Sequence, residues 1–533
     1  MEEKTSILNA FWRSCIDIQL IQEFNIKDDG FWGCIQMDAS PKEHLIFDVK
    51  VPLSYPLSND SISTRFYCQN DISCSHVNLD NSICFFTPKH NDFEERLKLE
   101  ETLLKEWRDT YYINEMKDDR YEYLITDYSN NDVFFFTDID YNFKKGEYGE
   151  FTFTIHNEIP IKPIPIRNFY IKTIGKVNCK WAEQIHSSTL NCIGLYYFMD
   201  EEPVSKCRWI AKNWDEIDTL VNQRFKKYLY DIKHDGTKDS LLCILIGYKI
   251  SATEIHWQMI QITKNKIPVK GIKKAPGYYE YFFEKELISW SRTVNCSYNR
   301  YFGRGALPPE ISDKKILIIG TGAIGSSLAK ILVKGGLRDI TLCDIDCVET
   351  GNICRSEYSI SHIQSPKVLA LMGTLSEISP FVNIYIIDPV NKRLDIEYRE
   401  QTIERLKHYD LIFDCSSDSE LAYVFNELEI KNTIINISIS NKANDLVCAV
   451  GTDFAHEKAI IFENLETTEN LHFYEGTGCW HPTFEASYYD INGMLNLAIQ
   501  NIANKISSNI PLSTFVIKKQ IKNNSINLET IDY

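Results

Sequence analysis

The feature that most restricts how this chain can fold is a strand, a glycine loop and a helix in uninterrupted succession. Lys315-Ile-Leu-Ile-Ile319 is branched and apolar, Gly320-Thr-Gly-Ala-Ile-Gly325 follows without a spacer, and Ser326 to Val333 has helical periodicity. The order supplies close approach to a phosphate: Gly320 permits the tight turn, and Gly322 lets the backbone near the anion. Gly325 closes the motif, and the helix N-terminus offers unpaired N–H donors. Asp339-Ile-Thr-Leu-Cys-Asp344 reads as the next strand, and Asp344 lies about 20 residues beyond the loop, where an acid meets ribose hydroxyls. On these residues alone the pattern suits a nicotinamide dinucleotide as well as a triphosphate.

The rest of the chain is long enough for two or three domains: 533 residues, 44% apolar and 25% charged. A net charge of −17 argues against a general nucleic-acid binder or a binder of anionic membranes, and suits a basic protein partner. The 16 cysteines are scattered, and Met1-Glu-Glu-Lys lacks the pattern of a signal peptide, so reduced thiols in a cytoplasm are expected. The longest apolar run, Leu241 to Tyr248, is far short of the roughly 20 residues that span a bilayer and reads as a buried strand.

Ser6 to Phe24 shows apolar residues at spacings near three and four, which predicts an opening helix. Phe31 to Met37, Leu45 to Val51 and Arg65 to Cys68 predict an antiparallel meander, and Glu94 to Tyr112 a second helix. This is an α+β unit over residues 1–130. Residues 131–290 read mostly as strands with no assignable chemistry, apart from a Pro-rich connector from Ile159 to Pro165 and a helical stretch from Tyr278 to Arg292. Residues 291–533 hold the glycine loop in an α/β, mostly parallel sheet, with a loosely structured tail after Ile517.

Beyond Asp344, the run Asp346, Asn352-Ile-Cys-Arg355 and Pro366-Lys367 resembles the ThiF/MoeB and ubiquitin-activating superfamily over roughly Arg300 to Ile506. The resemblance implies a Rossmann-like adenylation domain that binds ATP with Mg2+. Arg355 and Lys367 would neutralise departing pyrophosphate, Arg304 would match the arginine ahead of the loop, and Asp418 in Asp410-Leu-Ile-Phe-Asp414-Cys-Ser-Ser-Asp418 would hold magnesium. Here the chain departs from the usual Thr-Asp-Asn or Leu-Asp-Asn form. Many relatives carry two Cys-x-x-Cys pairs for structural zinc, and this chain has neither, so no structural zinc is expected. Cys343 and Cys347 are expected in the core or in structural roles.

Two thiols complete the pattern. Glu475-Gly-Thr-Gly-Cys479-Trp-His481-Pro-Thr resembles the cysteine segment of bacterial activating enzymes, with His481 able to lower the thiol pKa or simply to pack. Val51-Pro-Leu-Ser-Tyr55-Pro56 and His76-Val77-Asn78, followed by Cys84, resemble the ubiquitin-conjugating fold, with Val77 in place of that family's proline. Asn78 would support the oxyanion when a nucleophile attacks a thioester on Cys84. Together the two resemble the conjugating/activating fusions of anti-phage CBASS operons. That implies a homodimer that adenylates the C-terminal carboxylate of a partner, a cGAS/DncV-like nucleotidyltransferase. The acyl group would pass from Cys479 to Cys84 and then to a target amine, without nucleic acid or membrane. The alternatives are a ThiF/MoeB adenylyltransferase feeding a sulfur carrier, a nicotinamide oxidoreductase, and a non-catalytic scaffold.

Overall fold

The structure is a computed structural model. It describes Glu2 to Tyr533 except residues 28, 41–42, 58–62, 71, 73, 79, 85–88, 117–123, 125, 127, 160–164, 182–190, 200, 207–208, 236–239, 251–253, 391, 393–395, 419, 466–472, 475–482, 485 and 523–524. Two compact units are present. One comprises Met1–Phe135, Tyr141–Val177 and Thr189–Val294, and the other Phe136–Asp140, Asn178–Ser188 and Asn295–Tyr533.

The first unit opens with α1 (Glu2–Ser14), an antiparallel meander of β1 (Ile18–Lys27), β2 (Gly30–Ser40), β3 (Glu43–Val51) and β4 (Arg65–Cys68), then α2 (Phe93–Trp107). The helix expected to run to Phe24 ends at Ser14, because Asp17 turns the backbone left-handed (φ 65°) and the following apolar residues become β1. The meander buries Phe31, Ile35, Phe47, Val49 and Phe66 under Leu8, Trp12, Leu97 and Leu104 of the two helices. Asp92 caps α2 by accepting from the Glu95 N–H at 2.9 Å.

A second sheet in this unit has eight strands: β5 (Val133–Phe136), β6 (Tyr148–Ile159), β7 (Ile166–Ile174), β8 (Val177–Asn178), β9 (Cys192–Phe198), β10 (Leu241–Lys249), β11 (Ile255–Thr263) and β12 (Trp290–Asn295). Their order is β5-β12-β11-β10-β9-β6-β7-β8, and an added β5–β7 pairing curls the sheet back on itself. The Leu241 run is indeed a buried strand. The helix α3 (Gln223–Lys233) packs Phe225 and Leu229 into the core beneath it. The helix expected between Tyr278 and Arg292 is instead a strand, Tyr278–Phe283, hairpinned to Val269–Ala275, followed by β12. Its charges fall at helix-like intervals, but the aromatic run Tyr278, Tyr279, Tyr281, Phe282, Phe283 fits a pleated surface better.

The second unit is a doubly wound α/β fold. In chain order it has β13 (Lys315–Ile319), α4 (Ala323–Lys334), β14 (Asp339–Cys343), α5 (Lys367–Ile378), β15 (Asn383–Ile386), α6 (Ile396–Leu406), β16 (Leu411–Asp414), α7 (Glu420–Glu427), β17 (Thr433–Ser440), β18 (Asp445–Val450), α8 (Phe454–Asn464), α9 (Tyr488–Ser507), β19 (Phe515–Lys522) and β20 (Ser525–Asp532). The order β15-β14-β13-β16-β17 is parallel, and β18, β19 and β20 continue antiparallel, so the sheet is mixed. Central β13 is apolar from Ile316 to Ile319 because both its faces are covered there. Ile316 and Ile318 pack toward α4, α5 and α9, and Leu317 and Ile319 toward α7 and α8. The tail beyond Ile517, expected to be loose, is the β19–β20 hairpin, whose Lys519 pairs with Leu528 and Ile521 with Ile526.

Candidate functional site

Strand order reverses at β13, and the crevice beyond the carboxyl ends of β13 and β16 is where such sheets bind ligands. The glycine loop fills one wall. Gly320 has φ 79°, and a Cβ there would sit 2.7 Å from the backbone of Ser416 on the opposite wall. Gly325 is tighter still: its Cβ would lie 1.9 Å from the Gly320 carbonyl oxygen and 3.3 Å from Cys415. Gly322 meets nothing within 4 Å, which leaves its face open to a ligand.

Asp344, at the end of β14, locks this loop. Its Oδ2 accepts from the Thr321 N–H at 2.6 Å and the Thr321 hydroxyl at 3.0 Å, and its Oδ1 from the Asp346 N–H at 2.9 Å. Oδ1 keeps a lone pair for a ribose hydroxyl. Tyr358, which the sequence reading did not single out, donates its buried hydroxyl to the Thr321 carbonyl at 2.7 Å. Loss of hydration pushes the Tyr358 phenol up.

Lys367 opens α5 and directs its ammonium to Asp346 Oδ2 at 2.9 Å; the lysine side chain is 11% exposed, that of Asp346 62%. Arg355 lies two residues before Glu357, whose backbone N–H donates to Ser326 Oγ in the first turn of α4 (3.2 Å). Among the described residues Arg355 has no ion-pair partner. Glu357 accepts from Lys330 and, at 2.6 Å, from the Tyr488 hydroxyl.

Across the crevice, Asp414 is fully buried, accepting from Asn436 Nδ2 at 2.8 Å and Ser416 Oγ at 2.6 Å; burial pushes its carboxyl up. It therefore shapes the turn that carries Asp418, a role the sequence alone did not show. Asp418 donates its N–H to Ser416 Oγ at 3.3 Å, and its carboxylate pairs with Lys392 at 2.5 Å. Among the described residues no three His, Cys, Asp or Glu side chains form a metal site. Asp418 suits magnesium as a single carboxylate ligand, with phosphate oxygens and water completing the shell.

Arg304 lies elsewhere. Its segment is fixed to the far end of α4 by Leu307 N–H to the Gly335 carbonyl (2.8 Å) and Tyr298 hydroxyl to the Gly336 carbonyl (2.6 Å). A helix of 12 residues puts that end about 18 Å from the glycine loop. Cys343 is buried as expected, but Cys347 is exposed on the loop and is no core thiol, since the β14 alternation ends before it.

In the first unit, Cys84 is exposed and sits beside a turn closed by backbone bonds: Cys84 N–H to His76 O at 2.8 Å and Asn78 N–H to Ser82 O at 2.8 Å. Asn78 Nδ2 donates to Ser82 Oγ at 3.0 Å, leaving its second hydrogen free of that bond. Protein packed along one side of the thiol pushes its pKa above the ordinary value, and the Arg65 guanidinium works against this. Arg65, which pairs with Asp80 at 3.7 Å, has a part in this site that no sequence motif marks. Cys479 and His481 lie outside the described residues.

The loop, the crevice and the cations form an α/β site whose charges suit a polyphosphate. Residues 305–443 match the ThiF family, so the C-terminal half carries a ThiF domain. The ATP-dependent ubiquitin transferase-like protein Cap2 of Enterobacter hormaechei subsp. hoffmannii is 27% identical over 318 residues, covering 54% of this chain and 51% of the relative. The molybdopterin-synthase adenylyltransferase of Haemophilus influenzae is 29% identical over 140 residues, 25% of this chain and 55% of its own. The chain thus spans about half the length of the curated relatives it matches. A solved structure of E. coli MccB with AMPCPP and MccA overlaps 42% of this chain and 64% of its own at 16% identity, with a TM-score of 0.30, too loose to define the fold.

Proposed function

We propose that this chain is an ATP-dependent, ubiquitin-transferase-like enzyme that activates the C-terminal carboxylate of a partner protein and conjugates it to an amine. The observation that carries the reading is one chain holding both a ThiF-type polyphosphate site and an exposed Cys84 beside a His76-x-Asn78 turn. A nicotinamide enzyme has no need of Lys367 and Arg355 around its loop.

The loop N–H groups and the N-terminus of α4 hold the phosphates of ATP. A partner carboxylate oxygen attacks the α-phosphorus, forming an acyl–adenylate as pyrophosphate leaves. Arg355 and Lys367 stabilise the charge that builds on the departing group, and Lys367 exchanges Asp346 for phosphate as it does so. Asp418 would hold magnesium, which would supply further neutralisation of the triphosphate. Arg304 cannot reach the loop of its own chain from the far end of α4 and serves the site of a second copy, which makes the working form a homodimer.

The Cys479 thiolate displaces AMP and becomes the first thioester. Tyr488, nine residues after Cys479 in sequence, donates its hydroxyl to Glu357 at 2.6 Å. Cys84 then takes the acyl group, releasing Cys479, and an amine attacks the second thioester while Asn78 donates to the oxyanion. Joining both thiols in one chain raises their effective concentration. The partner is a cGAS/DncV-like nucleotidyltransferase in anti-phage defence, and the compartment is the cytoplasm.

The test is ATP–pyrophosphate exchange with such a nucleotidyltransferase present, intact or lacking its last residues. The reading expects exchange only with the intact C-terminus; exchange indifferent to the partner contradicts it. The similarity to molybdopterin-synthase adenylyltransferase favours one other reading, a sulfur-carrier activator. In that case Cys84→Ala leaves product formation intact.

A further inference from the structure

The turn that carries Asn78 and Cys84 is not self-supporting. His76 and Asn81 both have left-handed backbones, φ 62° and 60°, and such conformations persist only where surrounding contacts over-determine them. Some bracing is local: the His76 ring lies 4.3 Å from Tyr111, and the Trp107 indole donates to the Ser75 carbonyl at 3.3 Å. One brace is not. The indole N–H of Trp209, from the strand pair Val204–Lys206 and Trp209–Ile210, donates to the Val77 carbonyl at 3.1 Å, across 132 residues of sequence.

Trp209 is itself held firmly. The next two residues, Ile210 (3% exposed) and Ala211 (0%), belong to the core beneath the eight-stranded sheet. The Ala211 carbonyl accepts from the Trp290 indole at 2.8 Å, and its N–H donates to the Pro203 carbonyl at 2.7 Å. The carbonyl that Trp209 grips belongs to the peptide unit linking Val77 to Asn78. On the other side of Val77, the His76 carbonyl accepts the Cys84 N–H at 2.8 Å, and Val77 bridges to Ile83. One indole thus ties the orientation of the Asn78 amide and the position of the thiol to the core of the β-rich region.

We propose that Trp209 is a positioning residue for the Cys84 site, and that residues 131–290, to which sequence gave no chemistry, serve as its rigid support. This rests on the reading of Cys84 as a thioester acceptor. Trp209 touches neither acyl group nor amine; it acts through Val77 on where Asn78 aims its N–H.

The test uses the full chain as wild type, Trp209→Phe, which removes only the N–H, and Trp209→Ala, which also removes the ring. The Cys84 thioester is formed with ATP, magnesium and a cGAS/DncV-like partner, then chased with an amine. The rate constant for decay of the loaded species is independent of how much protein is folded or loaded. Amide exchange at Asn78 and Cys84 is followed in the same proteins without partner. Trp209→Phe is expected to slow decay about tenfold, the loss of one well-oriented hydrogen bond, and to speed exchange at both amides. Exchange in β2 and β3 should stay unchanged. Decay within twofold of wild type overturns the proposal. Should wild type take no acyl group on Cys84, the thioester reading itself fails, and the exchange result alone decides: faster exchange in Trp209→Phe supports the brace, and unchanged exchange overturns it.

Discussion

Two alanine substitutions in the glycine loop should fail for different reasons, and the difference tests what each glycine is for. In Gly325→Ala the new Cβ lands 1.9 Å from the Gly320 carbonyl oxygen, where Cβ contacts below 3.0 Å essentially never occur. The obstacle is backbone, so no rotamer relieves it, and the loop and α4 must part by more than about 1 Å. Overpacking of this kind costs about 1–3 kcal/mol; at the upper end the second unit melts roughly 5–10 °C lower. Gly322→Ala meets nothing within 4 Å, so melting should barely move. Its methyl group would stand where phosphate approaches, however, so ATP affinity should fall at least about tenfold, a loss of about 1.4 kcal/mol. Differential scanning calorimetry and titration with a non-hydrolysable ATP analogue separate the two. Wild-type melting of Gly325→Ala would refute the packing argument, and wild-type ATP affinity in Gly322→Ala would refute the phosphate cradle.

Three further outcomes follow from individual side-chain partners. Arg96→Met should destabilise the N-terminal α+β region by about 3–5 kcal/mol in urea unfolding, because it strands Glu100, 1% exposed and bonded to Arg96 at 3.1 Å, without its cation. Burial pushes the His256 imidazole down to about 4, so the folded form prefers it neutral. Stability from this group is full above the unfolded value near 6.5 and is lost as pH falls toward 4, to a total of about 3 kcal/mol. Urea midpoints at pH 7 and pH 4.5 should show this, and His256→Gln should flatten the dependence. Tyr488→Phe loses the bond to Glu357 and should slow transfer to Cys479 by up to about tenfold while pyrophosphate exchange stays unchanged.

The second unit was the more legible in sequence because its constraints are local. A loop pressed against the Ser416 backbone admits only glycine at Gly320, the Gly320 carbonyl leaves room only for glycine at Gly325, and a strand covered on both faces is apolar over Ile316 to Ile319. The α1 boundary and the Tyr278–Phe283 strand were misread because mixed apolar and charged residues satisfy two periodicities over short windows. The β19–β20 hairpin was hidden by composition: Lys, Asn and Ser suggest a loose tail, yet β20 is an edge strand whose outward positions need no apolar residues. The roles of Tyr358, Asp414, Arg65 and Trp209 are not legible in sequence, since each acts through a partner between 2 and 132 residues away. Arg304 was legible as a residue type, but its distance from its own loop was not.

The central claim is that acyl transfer runs in one direction, from Cys479 to Cys84. The direct measurement is non-reducing electrophoresis with mass mapping of thiol-sensitive adducts. Wild type, Cys479→Ala and Cys84→Ala would each be incubated with ATP, magnesium and a cGAS/DncV-like partner. The account predicts adducts on both cysteines in wild type, on Cys479 alone in Cys84→Ala, and on neither in Cys479→Ala. An adduct on Cys84 in Cys479→Ala would contradict it.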